Sequence, residues 1–367
     1  MTIQAAVSRM ANGPLSIEEL DLEGPRDNEI LVRMNATGVC HTDIAVIDRI
    51  LPTPQPVVLG HEGAGVVEEV GDRIEKVSPG DPVVMTFNSC GQCPCCLSGQ
   101  DAYCHKIFEY NFAVQPRADG SSRLLANNEP VHSDFFGQSS FATYSLCHER
   151  NIVKVTGDAP LEKLGPLGCS IQTGAGAVMN ALQIPPGAPF AVFGAGSVGT
   201  AAIMAAWTTG VSPIIAVDTN EARLTFAKEV GATHAINPST CDVTAEIQNL
   251  THYGLDFVLD TTGLSSVIRQ ATEALAPKGL CGVLGASELG SEIVLDEVHF
   301  MTGGRRLMGI VEGESVPDIF IPKLLELYQQ GRFPFDRMLD FYSFNQINQA
   351  IADSRAGRVL KPVVQMR

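Results

Sequence analysis

Positive charge is scarce in this chain of 367 residues: Lys and Arg number 25 against 41 Asp and Glu, a formal net charge of −16. So acidic a surface repels a nucleic-acid backbone or an anionic membrane, and both are excluded as partners. The first residues, MTIQAAVSRM, lack the apolar core of a secretory signal. A reducing, cytoplasmic setting is expected, with the ten cysteines present as thiols or metal ligands and not as a disulfide framework. Charge of either sign is missing between Leu164 and Val217. Membrane spans are excluded there too, because Pro185, Pro186, Gly187, Pro189, Gly210 and Pro213 cut the run into pieces whose freed backbone groups lipid could not satisfy. Buried strands and helices of a parallel sheet account for it. Repeats and low-complexity tracts are also missing.

What is present is enough apolar material, 45% of residues, to fill two cores, and the length favours two domains. The first part reads as β-rich, with strands at Glu29 to Met34 and Gly65 to Val70 broken by Gly and Pro clusters at 52–60 and 78–82. From about Pro189 strand and helix alternate. Strands are expected at Phe190 to Phe193, Ile214 to Val217, Leu255 to Asp260 and Leu280 to Leu284, with helices ending at Trp207 and Val230 and another over Leu264 to Ala276. Such alternation predicts a doubly wound parallel sheet, since parallel strands need crossover connections. The tail from about Arg306, with a helix near Pro322 to Gln330 and a last strand at Val359 to Gln365, is expected to return to the first domain. The expected division is 1–164 with 306–367, and 165–305.

Cys90, Cys93, Cys96 and Cys104 lie in one loop with Gly91, Pro94 and Gly99. That spacing suits a closed, all-thiolate zinc site, whose sulfurs must be delivered on tight turns. Cys95 is expected to point away from the ion. Cys147, Cys241 and Cys281 are expected to be small buried hydrophobes. A second, scattered set consists of Cys40 in GVCHTD, His61 in GHEGAGVV and Cys169 in PLGCS. Two thiolates and a neutral imidazole cancel the charge of a zinc ion and leave its fourth position for substrate, the pattern of an open catalytic metal.

The segment FGAGSVG sets Gly194, Gly196 and Gly199 in the order G-x-G-x-x-G, after an expected strand and opening an expected helix through Ser197 and Val198. Gly194 allows the turn, Gly196 lets backbone approach a diphosphate, and Gly199 brings helix against strand. Asp218 ends the next strand, where a carboxylate accepts hydrogen bonds from an adenosine ribose and repels a 2′-phosphate. NAD is expected in preference to NADP.

Together these segments resemble the zinc-dependent medium-chain alcohol dehydrogenases over essentially the whole chain. Asn111 with Phe112, and Asp119 to Ser121, resemble the aryl-alcohol (benzyl alcohol) and terpene-alcohol branch. The resemblance implies an α/β protein with an irregular β-rich GroES-like catalytic domain and a doubly wound Rossmann cofactor domain. It implies two zinc ions per subunit, the catalytic one on Cys40, His61 and Cys169 and the structural one on Cys90, Cys93, Cys96 and Cys104. It also implies NAD as cofactor, a small alcohol or aldehyde as substrate, and a homodimer or homotetramer, often joined through edge strands of the cofactor domains, which the segment Arg306 to Val311 resembles. By the same resemblance Asp43 orients His61, Glu62 lies close to the zinc or in an ion pair beside it, and Thr42 accepts the alcohol's hydrogen bond. His41 passes the proton on or contacts the cofactor's diphosphate, Lys361 reaches that diphosphate, and Phe141 lines the substrate channel. Many relatives carry a histidine where this chain has Ala45. Two rival expectations are a glutathione-dependent formaldehyde dehydrogenase and a non-catalytic nucleotide-binding relative.

Overall fold

The computed structural model describes residues 1–114, 116–117, 119–156 and 160–366. The chain divides into two compact units, one made of Met1–Ser170, Val316–Glu326 and Asp336–Arg367, the other of Ile171–Ser315 and Leu327–Phe335.

The second unit is built on six parallel strands in the spatial order His234–Ile236, Ile214–Val217, Phe190–Phe193, Leu255–Asp260, Leu275–Val283 and Arg306–Gly309. Its first strand in sequence lies centrally and the chain winds outward to each side in turn, which is the doubly wound Rossmann arrangement. Every residue of Phe190–Phe193 and Ile214–Val217 is buried, as strands covered on both faces must be. The Ala-rich helix Ser197–Thr208 buries Gly199 through Ala206 without interruption. Much of the charge-free run is thus accounted for: these are central strands and a helix with no face for a charge. Phe193, Ile215, Val217, Ile247, Val258 and Cys281 form the core of this unit.

The first unit holds two β-sheets. Thr2–Ser8 and Ser16–Leu22 anchor a five-stranded antiparallel sheet. The ten-residue strand Glu29–Gly38 organises the larger one, pairing antiparallel with Gly63–Val70, with Tyr144–His148 and, near its end, with the C-terminal strand Lys361–Gln365. This pairing ties the last residues of the chain to the segment that leads into Cys40. Among the described residues no helix is long and apolar enough to cross a membrane.

Two expected boundaries shift. Arg306–Gly309 pairs in parallel with Leu280 to Val283 and completes the six-stranded sheet, so the return to the first unit begins at Val316 and not at 306. A short strand carries no local mark of which sheet it joins; only the register of its partner decides. The chain also stays with the first unit through Ser170, beyond the expected end at 164, and this keeps Cys169 in the same unit as Cys40 and His61. Cys147 and Cys281 are buried, but Cys241 is exposed, because it lies in a surface turn where its thiol donates to the carbonyl of Asn237.

Candidate active site and metal centres

Cys40 follows the strand Glu29–Gly38 and caps the helix His41–Ile47. His61 immediately precedes Glu62 and the strand Gly63–Val70, and Cys169 ends the turn Gly165–Gly168. Three separate segments thereby bring one ligand atom each from Cys40, His61, Glu62 and Cys169 to within 4.8 Å of one another, all buried. One carboxylate organises the group. Asp43, fully buried, accepts from the backbone N–H of Cys40 at 2.9 Å, from the N–H of Gly60 at 3.0 Å and from His61 Nδ1 at 3.0 Å. The last bond places the proton on Nδ1 and turns Nε2 toward the thiols. Nε2 is buried and has no hydrogen-bond partner. An orphaned imidazole nitrogen facing two thiols is what a bound zinc ion would satisfy, so these residues fit the metal.

The electrostatics point the same way. Cys40 is drawn well below the usual thiol range, first by its hydrogen bond with Cys169, against burial, and further by Lys361 and His61. Thiolates are the form a metal needs. Glu62 is tied down: its carboxylate accepts from Lys361 Nζ at 2.8 and 2.9 Å and from the N–H of Ser170 at 3.1 Å. The Glu62–Lys361 pair is neutral in sum. Burial opposes a charge on His61, but Asp43 and Cys40 together hold it well above the usual imidazole range, so a bound ion would displace its Nε2 proton, and two thiolates with the neutral imidazole would match the charge of a divalent ion.

The second cluster, Cys90, Cys93, Cys96 and Cys104, also brings its ligand atoms within 4.8 Å. Its sulfurs lie 3.5 Å apart between Cys93 and Cys96 and 3.9 Å apart between Cys90 and Cys96. Zinc–sulfur bonds of about 2.3 Å give tetrahedral edges of about 3.8 Å, so the spacing suits that ion. Backbone N–H groups of Cys93, Cys90 and Lys106 donate to these sulfurs, and N–H groups of Cys96 and His105 hold Cys93 down to about 6. Cys95 stays outside the set, as expected.

In the other unit each glycine of the Gly-x-Gly-x-x-Gly turn meets the requirement expected of it. Gly194 adopts φ of +95°, a conformation costly for residues with a Cβ. A Cβ on Gly199 would lie 1.9 Å from the Gly194 carbonyl oxygen, whereas one on Gly196 would meet nothing within 4 Å. That open place is the cradle a diphosphate would fill, beside the uncapped start of the helix Ser197–Thr208. Asp218 accepts from the N–H of Ala195 at 2.7 Å and of Asn220 at 2.8 Å.

Comparison with known proteins agrees with this arrangement. Residues 26–157 match the alcohol dehydrogenase GroES-like domain and residues 197–330 the zinc-binding dehydrogenase domain. A geraniol dehydrogenase of Castellaniella defragrans is 42% identical over 99% of this chain and 98% of its own. The chain belongs to the zinc-dependent alcohol dehydrogenase family. Among solved structures, the benzyl alcohol dehydrogenase of Acinetobacter calcoaceticus is similar with a TM-score of 0.97 and 45% identity, each chain covered completely. A zinc-binding alcohol dehydrogenase domain protein of Burkholderia ambifaria gives 0.98 and 50%, over 100% of this chain and 99% of that one. As a family member, this dehydrogenase is a zinc-dependent oxidoreductase acting on alcohols.

The dehydrogenase's other expected site residues are placed as follows. Thr42 is half-buried with its hydroxyl 3.8 Å from Cys40 Sγ, and His41 beside it is exposed. Lys361 is fully buried. Its ammonium is committed to Glu62 and the Val39 carbonyl; burial opposes its charge most strongly, but Glu62, Cys40 and Cys169 together hold it above the usual lysine range. Lys361→Met should therefore lower unfolding free energy by about 3–5 kcal/mol, the usual cost of stranding a buried charge. Denaturant titration checks this; an unchanged midpoint with weakened NADH binding would place Lys361 on the cofactor instead. Phe141, expected in a substrate channel, is fully buried in the core of its unit beside Leu59 and Ala142. Its backbone bonds Leu59 and Ala6, and its ring belongs to the same buried cluster as Phe135 and Phe136.

The rings that do meet the site are Phe136, stacked on His61 at 4.5 Å and 27°, and Phe135, edge-on at 5.6 Å and 83°. Phe112 packs on both. Phe136 holds φ of +51°, unusual for an aromatic residue and a mark of strain retained at functional places. The Ser139 hydroxyl fixes this turn, accepting from the N–H groups of Asp134 and Phe135 and donating to Val58. Gln138 bonds the backbone of His61, Gly63 and Thr86. Asp134, Gly137 and the two serines around the Phe pair were the available signal.

Proposed function

We propose that this dehydrogenase interconverts primary aromatic or allylic alcohols, of the benzyl or terpene kind, with their aldehydes. The observation that carries the reading is the wall of Phe136, Phe135 and Phe112 against the ring of His61. Planar, unsaturated substrates gain most from such edge and face contacts. The names borne by the Castellaniella and Acinetobacter relatives support the same class.

Bound zinc would supply the Lewis acidity that makes the alcohol more acidic, and NAD would supply the hydride acceptor. Asp43 holds the His61 ring in the tautomer that ligates. The Thr42 hydroxyl, close to Cys40, would accept the substrate's hydrogen bond and start removal of its proton. Ala45 offers no basic group to continue, so exposed His41 is the residue that would hand the proton to water. In the other unit the N–H groups around Ser197 and Val198 would bind the diphosphate, and Asp218 the ribose.

We further propose a cytoplasmic homodimer or homotetramer. The outer edge of Arg306–Gly309 and the exposed Val294, Val298 and Met301 support assembly through this sheet.

NADH absorbance with benzyl alcohol, geraniol, ethanol and S-hydroxymethylglutathione tests the substrate class. Burying a phenyl or prenyl group is worth about 2–3 kcal/mol, so kcat/KM for the first two should exceed that for ethanol by about a hundredfold. Preference for the glutathione adduct would overturn the reading.

A further inference from the structure

Resting on the second unit as an NAD-binding fold, we infer that Thr261 is a positioning residue for the cofactor's diphosphate. Its hydroxyl locks the first glycine turn in the shape that presents the next helix's N–H groups to an anion.

Thr261 follows the strand Leu255–Asp260, next to Phe193 in the sheet. Its N–H donates to the Phe193 carbonyl at 2.9 Å, and its hydroxyl lies 2.8 Å from the Gly194 carbonyl oxygen and 3.2 Å from that of Phe193. From the other side the Gly194 N–H donates to Val217 at 2.8 Å, Ala195 N–H to Asp218 at 2.7 Å, and the Thr200 hydroxyl to the Ala195 carbonyl at 3.2 Å. The polar groups of residues 194 and 195 are thus engaged inside the protein. At Gly196 the situation reverses: it begins a helix of 12 residues with no side-chain cap, and its Cβ position is open.

The Gly194 carbonyl is the critical dipole. It lies against Gly199, where a Cβ would come within 1.9 Å of it. Held there by Thr261, its negative end is engaged by a hydroxyl donor and packed against Gly199. Released, it could turn toward the cradle and oppose an anion. Thr261 is itself held by a buried turn. The Asp260 carboxylate, fully buried, accepts from the Thr262 hydroxyl at 2.7 Å and the N–H groups of Thr262 and Gly263 at 3.3 and 3.0 Å, and the Thr262 hydroxyl accepts from Leu264 at 3.1 Å. Asp260 orders the loop, and Thr261 transmits that order to the glycine turn.

Thr261→Val removes the donor and keeps the shape. In the purified full-length dehydrogenase, dissociation constants for NADH and ADP-ribose should each rise about fivefold, the effect of one hydrogen bond. Adenosine, which carries no phosphate, should bind as before, and Thr261→Ser should restore wild-type values. Unchanged NADH affinity in folded Thr261→Val, or equal weakening of adenosine and ADP-ribose, would overturn the inference. If Thr261→Val does not fold, Thr261→Cys, with a weaker donor of similar size, is read in the same way. Failure of the wild type to bind ADP-ribose would instead remove the NAD-fold reading beneath it.

Discussion

His61→Ala should yield a folded protein that retains one metal ion of two and oxidises alcohols at least about a thousandfold more slowly. Lewis-acid stabilisation is worth several kcal/mol, and each 1.4 kcal/mol is about tenfold in rate. The fold should survive because Asp43 keeps two of its three partners, the N–H groups of Cys40 and Gly60. The four-cysteine loop shares no residue with the altered site. Elemental analysis, circular dichroism and NADH-coupled kinetics on one preparation check all three expectations. Turnover within tenfold of wild type would show that the imidazole is not a ligand of the reactive metal.

Asp218→Asn is expected to shift the ratio of kcat/KM for NAD over NADP by about a hundredfold toward NADP. Charge-assisted hydrogen bonds to a ribose are worth about 1.5–3 kcal/mol, and the lost charge no longer repels a 2′-phosphate. Arg223 strengthens the case. Its guanidinium lies 3.7 Å from Asp218, and its Nε is buried without a partner. With Asp218 neutralised, Arg223 is placed to pair with the added phosphate. The single oxygen of asparagine can still accept from the Ala195 N–H, at the loss of the bond from Asn220, so the glycine turn should stay intact. Kinetics with both dinucleotides decide the matter; an unchanged preference would mean that another group reads the ribose.

Much of the site was legible because its chemistry restricts residue type. Zinc favours Cys and His, and a diphosphate turn favours Gly at fixed offsets, so Cys40, His61, Gly194 and Gly196 stand out as candidates. The central strands were legible for a related reason, since Phe190–Phe193 and Ile214–Val217 are apolar throughout. What escaped depends on distant partners. The bound at 306 escaped, although Arg306 to Val311 resembles a cofactor-domain edge strand: its register with Leu280 to Val283 keeps Arg306–Gly309 in the second unit. Lys361 looks like a terminal, solvated lysine until the last strand pairs with Glu29–Gly38 and buries it against Glu62. Phe136 and Phe141 are separated by five positions, are chemically identical and lie in one buried cluster, yet Phe136 is the one whose ring stacks on His61. Phe136 has a positive φ, and no periodicity announces it.

The measurement that bears most directly on this account is anomalous scattering at the zinc edge from crystals of the native protein, with elemental analysis of the same sample. Two zinc ions per chain are expected, one bounded by Cys40, His61 and Cys169 and one by Cys90, Cys93, Cys96 and Cys104. A single ion in the four-cysteine loop, in a preparation that oxidises alcohols at full rate, would contradict it.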